Sequence, residues 1–418
     1  MSDLDPALAR TAVNTVVRED WGRMLSILVA QVRDLELAED CLQDAVVSAL
    51  VHWPDRGIPE HPVAWLIQTA RRKGIDRLRR VTLFARKEEQ ITLLAELERA
   101  EPDEDGHPEL PDERLRLIFT CAHPALPESA RVPLTLHTLC GLSAQEVASA
   151  FLTSEPTLRQ RLVRAKRKIR ATAIPYRVPE GKLLIERLTP VLKVIYLIFN
   201  EGYRSNSGVS LIRTDLCEEA MRLCDLLIHC LPEHAETLGL QALMQFHHSR
   251  YLARIDAQGE SVSLSRQDRG RWLEKHIERG DQLLLQATRL RKPGPYQIQA
   301  AISAVHASAA TFEETDWAQI VLLYDRLYAC EPTPVVLINR AVALSHAVSP
   351  VAGLACLGEI ADDAQLQSYQ PYFAARADLH KRADNRSAAR NDFLKAIALS
   401  QNREERRFLE QQLSTLDD

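Results

Sequence analysis

The stretch from Gly141 to Arg170, GLSAQEVASAFLTSEPTLRQRLVRAKRKIR, constrains this chain more than any other. Ser143 followed by Glu146 has the form of a capping box, in which each side chain satisfies a backbone N–H near the other. A short helix is therefore expected from Ser143 to Phe151, broken at Leu152-Thr153-Ser154. Ser154 then caps a second helix whose apolar positions Leu158, Leu162, Ala165 and Ile169 form one narrow stripe. The remaining face carries Arg159, Gln160, Arg161, Arg164, Lys166, Arg167, Lys168 and Arg170, opposed by Glu155 alone. Like charges one helical turn apart repel by roughly 0.2–0.5 kcal/mol per pair. A chain of formal net charge −5 gains nothing from concentrating them unless an anion lies outside. Short helix, tight turn and basic helix with one buried stripe are the parts of a helix-turn-helix, whose second helix enters the major groove.

The rest of the chain sets the class. Its 418 residues are enough for several cores, and 46% hydrophobic content with only 15 glycines predicts a mostly helical, soluble protein. The N-terminal MSDLDPALAR is acidic and has no apolar core, so no signal peptide is expected. The longest apolar run, Val191–Phe199, is broken by Lys193 and too short for a bilayer, so no membrane is expected. Eight cysteines (41, 121, 140, 217, 224, 230, 330, 356) form no CxxC pair, which suits buried free thiols in a reducing cytoplasm.

In the first segment, residues 8–84, Trp21, Leu25, Leu28 and Val32 mark one helical stripe. A second helix starts at Leu37 and continues to Leu50. The turn signals Pro54, Gly57, Pro59 and Pro62 make a loop, and a third helix spans Val63 to Arg80. Trp65, Leu66, Thr69, Ile75 and Leu78 face inward; Arg71, Arg72, Lys73, Arg77, Arg79 and Arg80 are opposed by Asp76 alone. Two basic helices in two small helical domains suit a two-point grip on a long duplex.

With AEDCLQDA, WLIQTARRKGIDRLRR and the basic helix-turn-helix in this order, residues 10–171 resemble the sigma-70 family of RNA polymerase initiation factors. They are most similar to its compact extracytoplasmic-function group, which keeps only regions 2 and 4. The resemblance implies region 2 at 8–84, an acidic linker at 85–111, and region 4 at 112–172. It implies that Asp40, Gln43 and Asp44 dock on the clamp of the polymerase β′ subunit, while region 4 meets the β flap. Trp65, Arg71, Arg72, Arg77, Arg79 and Arg80 match the helix that meets the −10 element. The loop Asp55–His61 corresponds to where such factors hold a flipped-out base, a step that costs a few kcal/mol of unstacking. Trp65 has a core role as its alternative.

The acidic linker, with Glu96, Glu98, Glu101, Asp103, Glu104, Asp105 and Glu109, reads as a tether. In the family such a linker threads the basic polymerase channel; solubility alone is the other reading. Region 4 reads the −35 element in the family. Here Thr157, Arg159, Gln160, Arg161, Arg164 and Lys168 are its candidate DNA contacts, those near the N-terminal end reaching base edges and the later ones phosphates. Glu155 is a candidate acceptor for a cytosine amino group.

Residues 180–418 continue well past the point where most compact factors end. Helices are expected at Lys182–Phe199, Thr214–Cys230, Ala235–Tyr251, Gln267–Arg289, Tyr296–Thr311, Trp317–Cys330 and Pro334–Ala347. The spacing of Ile320, Tyr324, Leu327 and Pro332, and of Ala389, Phe393 and Ala396, resembles tetratricopeptide (TPR) second helices, so an α-solenoid is expected. Within it, FNEGYRSNSG (Phe199–Gly208) sets Asn200, Glu201 and Tyr203 beside two glycines, as an interdomain brace or a polar ligand site. FNEGYRSNSG, RLIFTC and QDRGRW also resemble a sigma subgroup with such an extension. His229, His247-His248 and Cys224/Cys230 lack the paired spacing of a metal site, and no Walker loop, GxSxG or HExxH occurs, so no metal, cofactor or catalytic residue is assigned.

The expectation is thus an all-α promoter-specificity subunit, not an enzyme. Its partners are core polymerase and promoter DNA, with a regulatory protein or ligand for the C-terminal domain. The alternative is a stand-alone helix-turn-helix regulator with a sensing repeat domain, which has no need of AEDCLQDA.

Overall fold

The computed structural model describes residues 6–85, 110–151, 153–172, 174–203, 214–256, 262–400 and 403–416. Among these the chain is all-α, with no strand, and it divides into two units, 1–201 and 202–418. The linker residues 86–109 and the 204–208 part of FNEGYRSNSG lie outside the described residues.

The first unit opens with α1 (Pro6–Val32), α2 (Leu35–Arg56) and α3 (Pro62–Ala85), packed on one another. Asp34 caps α2, accepting from the Glu36 and Leu37 amides at 3.0 Å each. Met24, Leu25, Leu28, Leu42, Ala45, Trp53 and Leu66 are fully buried between these helices. Pro54 does not end α2, as its turn character suggests; the helix runs on to Arg56. Proline forfeits one backbone bond there, but the continuing turn buries Trp53 and closes with the Gly57 N–H on the Trp53 carbonyl at 3.0 Å.

Four shorter helices follow: α4 (Leu110–Cys121), α5 (Glu128–Thr138), α6 (Ala144–Ala150) and α7 (Glu155–Ala171). The capping box forms, with Ser143 N to Glu146 Oε2 at 2.8 Å and Glu146 N to Ser143 Oγ at 3.2 Å. Leu158, Leu162 and Ala165 are buried as the stripe requires. α1 also packs on α4 and α5, so the two helix groups form one body. That contact needs glycine at two positions. A Cβ on Gly22, in the middle of α1, would lie 2.1 Å from the Leu139 carbonyl oxygen. Gly141, at φ +65°, would put a Cβ 2.9 Å from the Trp21 Cβ. The unit closes with most of α8 (Gly181–Tyr203), whose Lys193 pairs with Glu128 at 2.5 Å.

The second unit is a serial array: α9 (Thr214–Cys230), α10 (Ala235–Ser249), α11 (Glu274–Arg289), α12 (Pro295–Ser308), α13 (Trp317–Cys330), α14 (Pro334–Ala347), α15 (Pro350–Gly358), α16 (Gln370–Arg382), α17 (Arg386–Leu399) and α18 (Arg403–Ser414). Each helix packs on the next in sequence. Thr333-Pro334 and Ser349-Pro350 start α14 and α15 with a side-chain cap followed by proline at the first helical position. The helix expected from Gln267 starts only at Glu274. QDRGRW holds only a 3-10 turn at Arg269–Arg271, because Trp272 is buried and the Leu273 N–H donates to the Ser249 carbonyl at 2.8 Å, a tertiary bond in place of a helical one. Among the described residues no helix is long and apolar enough to cross a membrane.

Candidate nucleic-acid interface

The basic face of α7 begins at its cap. Ser154 Oγ accepts from the Thr157 amide at 3.4 Å and lies 2.8 Å from the Thr157 hydroxyl, which fixes the first turn. Thr157, Gln160, Arg161, Arg164 and Lys168 line one groove of about 590 Å³ with Ala125, Pro127 and Ser129, at the start of α5. Arg164 and Lys168 are exposed; Arg161 is half-buried and donates to the Ser129 carbonyl at 3.4 Å. Arg159 stands apart, paired with Glu155 Oε1 at 2.6 Å.

Lys166 belongs elsewhere. The sequence sets it on the solvated basic face, but its side chain is only 12% exposed and its ammonium lies 2.5 Å from Glu39 Oε2. Glu39 is buried on α2, and its other oxygen meets His137 Nε2 at 3.0 Å, while His137 Nδ1 faces the Leu142 carbonyl at 2.7 Å. Burial pushes the Glu39 carboxyl up, but the His137 hydrogen bond and the Lys166 charge together outweigh it and hold the group below its usual range. Residues 127 apart in sequence leave no single-sequence signal for such a pair.

On α2, Asp40 and Gln43 are exposed and Asp44 half-buried, one turn apart on one face. Arg77 of α3 forks across both acids, at 3.2 Å to Asp40 and 2.7 Å to Asp44. Of the six candidate −10 residues, Arg77 is therefore committed within the protein. Arg72, Arg79 and Arg80 are exposed, Arg71 is half-buried, and Trp65 is half-buried against Trp53 with ring centroids 5.6 Å apart. Gly57 to His61 form the loop between α2 and α3; Asp55 and Arg56 belong to α2.

In the second unit, Tyr203 is held by two arginines. Its hydroxyl accepts from Arg250 at 2.8 Å, its carbonyl from Arg254, and the Arg254 guanidinium lies 3.6 Å over its ring. Asn200 and Glu201 are half-buried at the end of the first unit. None of the eight cysteines is in a disulfide; Cys230 and Cys330 are exposed, while burial pushes Cys121 and Cys217 up to about 12. Among the described residues no group of three or more His, Cys, Asp or Glu is arranged to hold a metal ion.

Residues 17–83 match sigma-70 region 2, residues 116–169 match sigma-70 region 4, and residues 187–288 match a family of unknown function, DUF6596. The chain is 41% identical over 394 residues to an uncharacterized protein of Rhizobium meliloti (strain 1021), covering 94% of this chain and 93% of that one. No solved structure matches it. The regions it carries are those through which such factors bind core RNA polymerase and promoter DNA. With region 2 on α1–α3 and region 4 on the capped helix-turn-helix, the chain belongs to the sigma-70 family of RNA polymerase sigma factors.

Proposed function

We propose that this sigma factor is of the extracytoplasmic-function type: a cytoplasmic, non-enzymatic subunit that directs core polymerase to −35/−10 promoters. The observation that carries the reading is the capped basic helix α7, whose Thr157, Gln160, Arg161, Arg164 and Lys168 share one open groove. In this reading 8–84 is region 2, 85–111 the linker, 112–172 region 4, and 180–418 a TPR-like regulatory domain. Asp40, Gln43 and Asp44 dock on the β′ clamp, region 4 meets the β flap, and Arg71, Arg72, Arg79 and Arg80 with Trp65 meet the −10 element. Arg77 serves them indirectly, by holding the docking acids.

The C-terminal domain acts in this proposal as a brace that supports activity, either alone or through a bound protein or ligand. Lys193 on α8 reaching Glu128 of α5, and the fixed ring of Tyr203, favour a brace over an acidic mask. Run-off transcription on fragments bearing −35/−10 sequences tests the assignment. Core polymerase should initiate from them only when this chain is added. A chain that binds DNA but never co-elutes with core is instead a stand-alone regulator.

A further inference from the structure

The second unit holds a cavity of about 250 Å³ between facing sides of α13 and α14. Trp317, Ile320 and Tyr324 line it from α13, and Asn339, Val342 and His346 from α14, each set on one face of its helix. Two more rings close it. His306, in the last turn of α12, sets its ring 5.2 Å from that of Trp317. Phe312 stands 5.1 Å from Trp317 and 5.2 Å from His346, and Trp317 and His346 are stacked at 4.3 Å. Protein interiors close-pack such rings; here they surround an open volume. Clefts for drug-sized ligands run about 300–1,000 Å³, so this one suits a single small ring system.

The chemistry of the lining narrows the occupant. No carboxylate and no Lys or Arg side chain lines the cavity. Two arginines stand behind it, both bonded to protein groups. Arg269 donates to the His306 and Ala309 carbonyls and to Thr315 Oγ1. Arg382 donates to Ser345 Oγ at 2.8 Å and lies 3.2 Å from His346 Nε2. Their charge disfavours a cation among the rings, and with their donors engaged neither is built to receive an anion. Burial lowers His306 and His346 to about 4, so at neutral pH each ring is uncharged and offers one donor and one acceptor. His306 Nδ1 is buried with no hydrogen-bond partner among the described residues, which costs free energy until a polar group meets it. Asn339, exposed on α14, adds an amide whose donor and acceptor lie side by side in one plane.

We propose that this cavity binds a small, uncharged, planar heteroaromatic molecule with an N–H beside a C=O on one edge, its ring among Trp317, Phe312 and His346 and that edge paired with the Asn339 amide. A chain of contacts runs from the site to the start of the unit. Arg269, bonded to the His306 carbonyl, lies 5.0 Å over the Trp272 ring; Arg250 lies 5.6 Å over the same ring and donates to the Tyr203 hydroxyl at 2.8 Å. The site thereby gives the C-terminal domain a ligand to sense. That part rests on the reading of 180–418 as regulatory; the binding itself does not.

The test uses the full chain and two probes: hypoxanthine, which carries that edge, and unsubstituted purine, the same ring system without it. Binding is read by saturation-transfer NMR and by titration. Hypoxanthine should bind about tenfold more tightly than purine, the worth of two modest hydrogen bonds. Asn339→Leu, a change of similar size at an exposed position, should abolish that preference and leave thermal melting unchanged. Tetramethylammonium should not displace hypoxanthine. Hypoxanthine that fails to bind, purine that binds equally well, or displacement by tetramethylammonium each overturns the proposal. Binding as stated, with run-off transcription unmoved by saturating hypoxanthine, leaves the site standing and overturns its coupling to transcription.

Discussion

Arg77 of α3 reaches Asp44 of α2 at 2.7 Å and, through its other terminal nitrogen, Asp40 at 3.2 Å. A residue whose sequence context assigns it to DNA thus spends its donors on the acids assigned to polymerase. The basic face of α3 and the acidic face of α2 are joined through this one guanidinium.

The docking surface is tested by Asp40→Arg with Asp44→Arg, which should abolish co-purification with core. Because reversal also sets two cations against Arg77, the triple variant with Arg77→Glu separates lost docking from lost folding. The exposed pairs contribute only about 0.2–1 kcal/mol each, so thermal melting of both variants should stay close to wild type. Retained core binding would remove α2 from the interface.

Arg164→Ala should weaken promoter binding by about 1–3 kcal/mol where a base contact is lost, and relax selectivity at that base. Lys168→Ala should weaken all sequences alike and lower the slope of log affinity against log salt by about one. Arg159→Ala should do little, since Arg159 is paired with Glu155. Fluorescence anisotropy of holoenzyme on promoter duplexes across salt concentrations distinguishes the three; equal effects from all three would misplace the recognition face.

The reason the outline was legible is that its signals are local. Thr214–Cys230, Trp317–Cys330 and Pro334–Ala347 form where the sequence alone predicts them, since a cap such as Thr333-Pro334 is written within four residues. The helix-turn-helix follows from Ser143, Glu146 and Ser154 for the same reason. What local pattern misses is tertiary. Lys166 looks like any other cation of its helix until Glu39 meets it, and the QDRGRW loop is decided by a bond from Leu273 to Ser249. A glycine in the middle of a helix, as at Gly22, is the kind of local hint that marks such a close approach.

Removing everything after Ile174 should lower transcription rather than release it. The cut deletes Tyr176 as well as α8, so it must be read beside Tyr176→Phe, which removes only the hydroxyl bonds to Ser26 and Glu113. Substitutions at Asn200, Glu201 or Tyr203 should also lower activity. A soluble truncated chain more active than full length would make the C-terminal domain an inhibitor.

The second unit should be acid-sensitive. His248, His306 and His346 are each lowered to about 4, in every case chiefly by burial. Unfolded histidines titrate near 6.5, so between about pH 6.5 and 4 the unfolded chain binds protons that the native one refuses. Stability then falls as pH falls through that window and is constant above it. Thermal melts of the full chain at pH 7.5 and 5 should show the loss, and His248→Gln should reduce it. An unchanged melting temperature at pH 5 would contradict the burial of these rings.

Arg376 meets Asp392 in a two-pronged pair, 2.7 and 2.6 Å, with the carboxylate only 6% exposed. Asp392→Ala leaves the guanidinium facing a half-buried seam and should cost about 2–4 kcal/mol, read by denaturant unfolding of the full chain. A loss under about 1 kcal/mol would mean that the pair is open to water.

The seam at Glu39 also bears on how freely the basic helix can vary. Arg167 and Lys168 are exposed and can be exchanged at little structural cost, whereas Lys166 is held by a carboxylate that is itself out of water. Removing that one cation leaves a buried charge short of a partner, so a single position of α7 answers to α2.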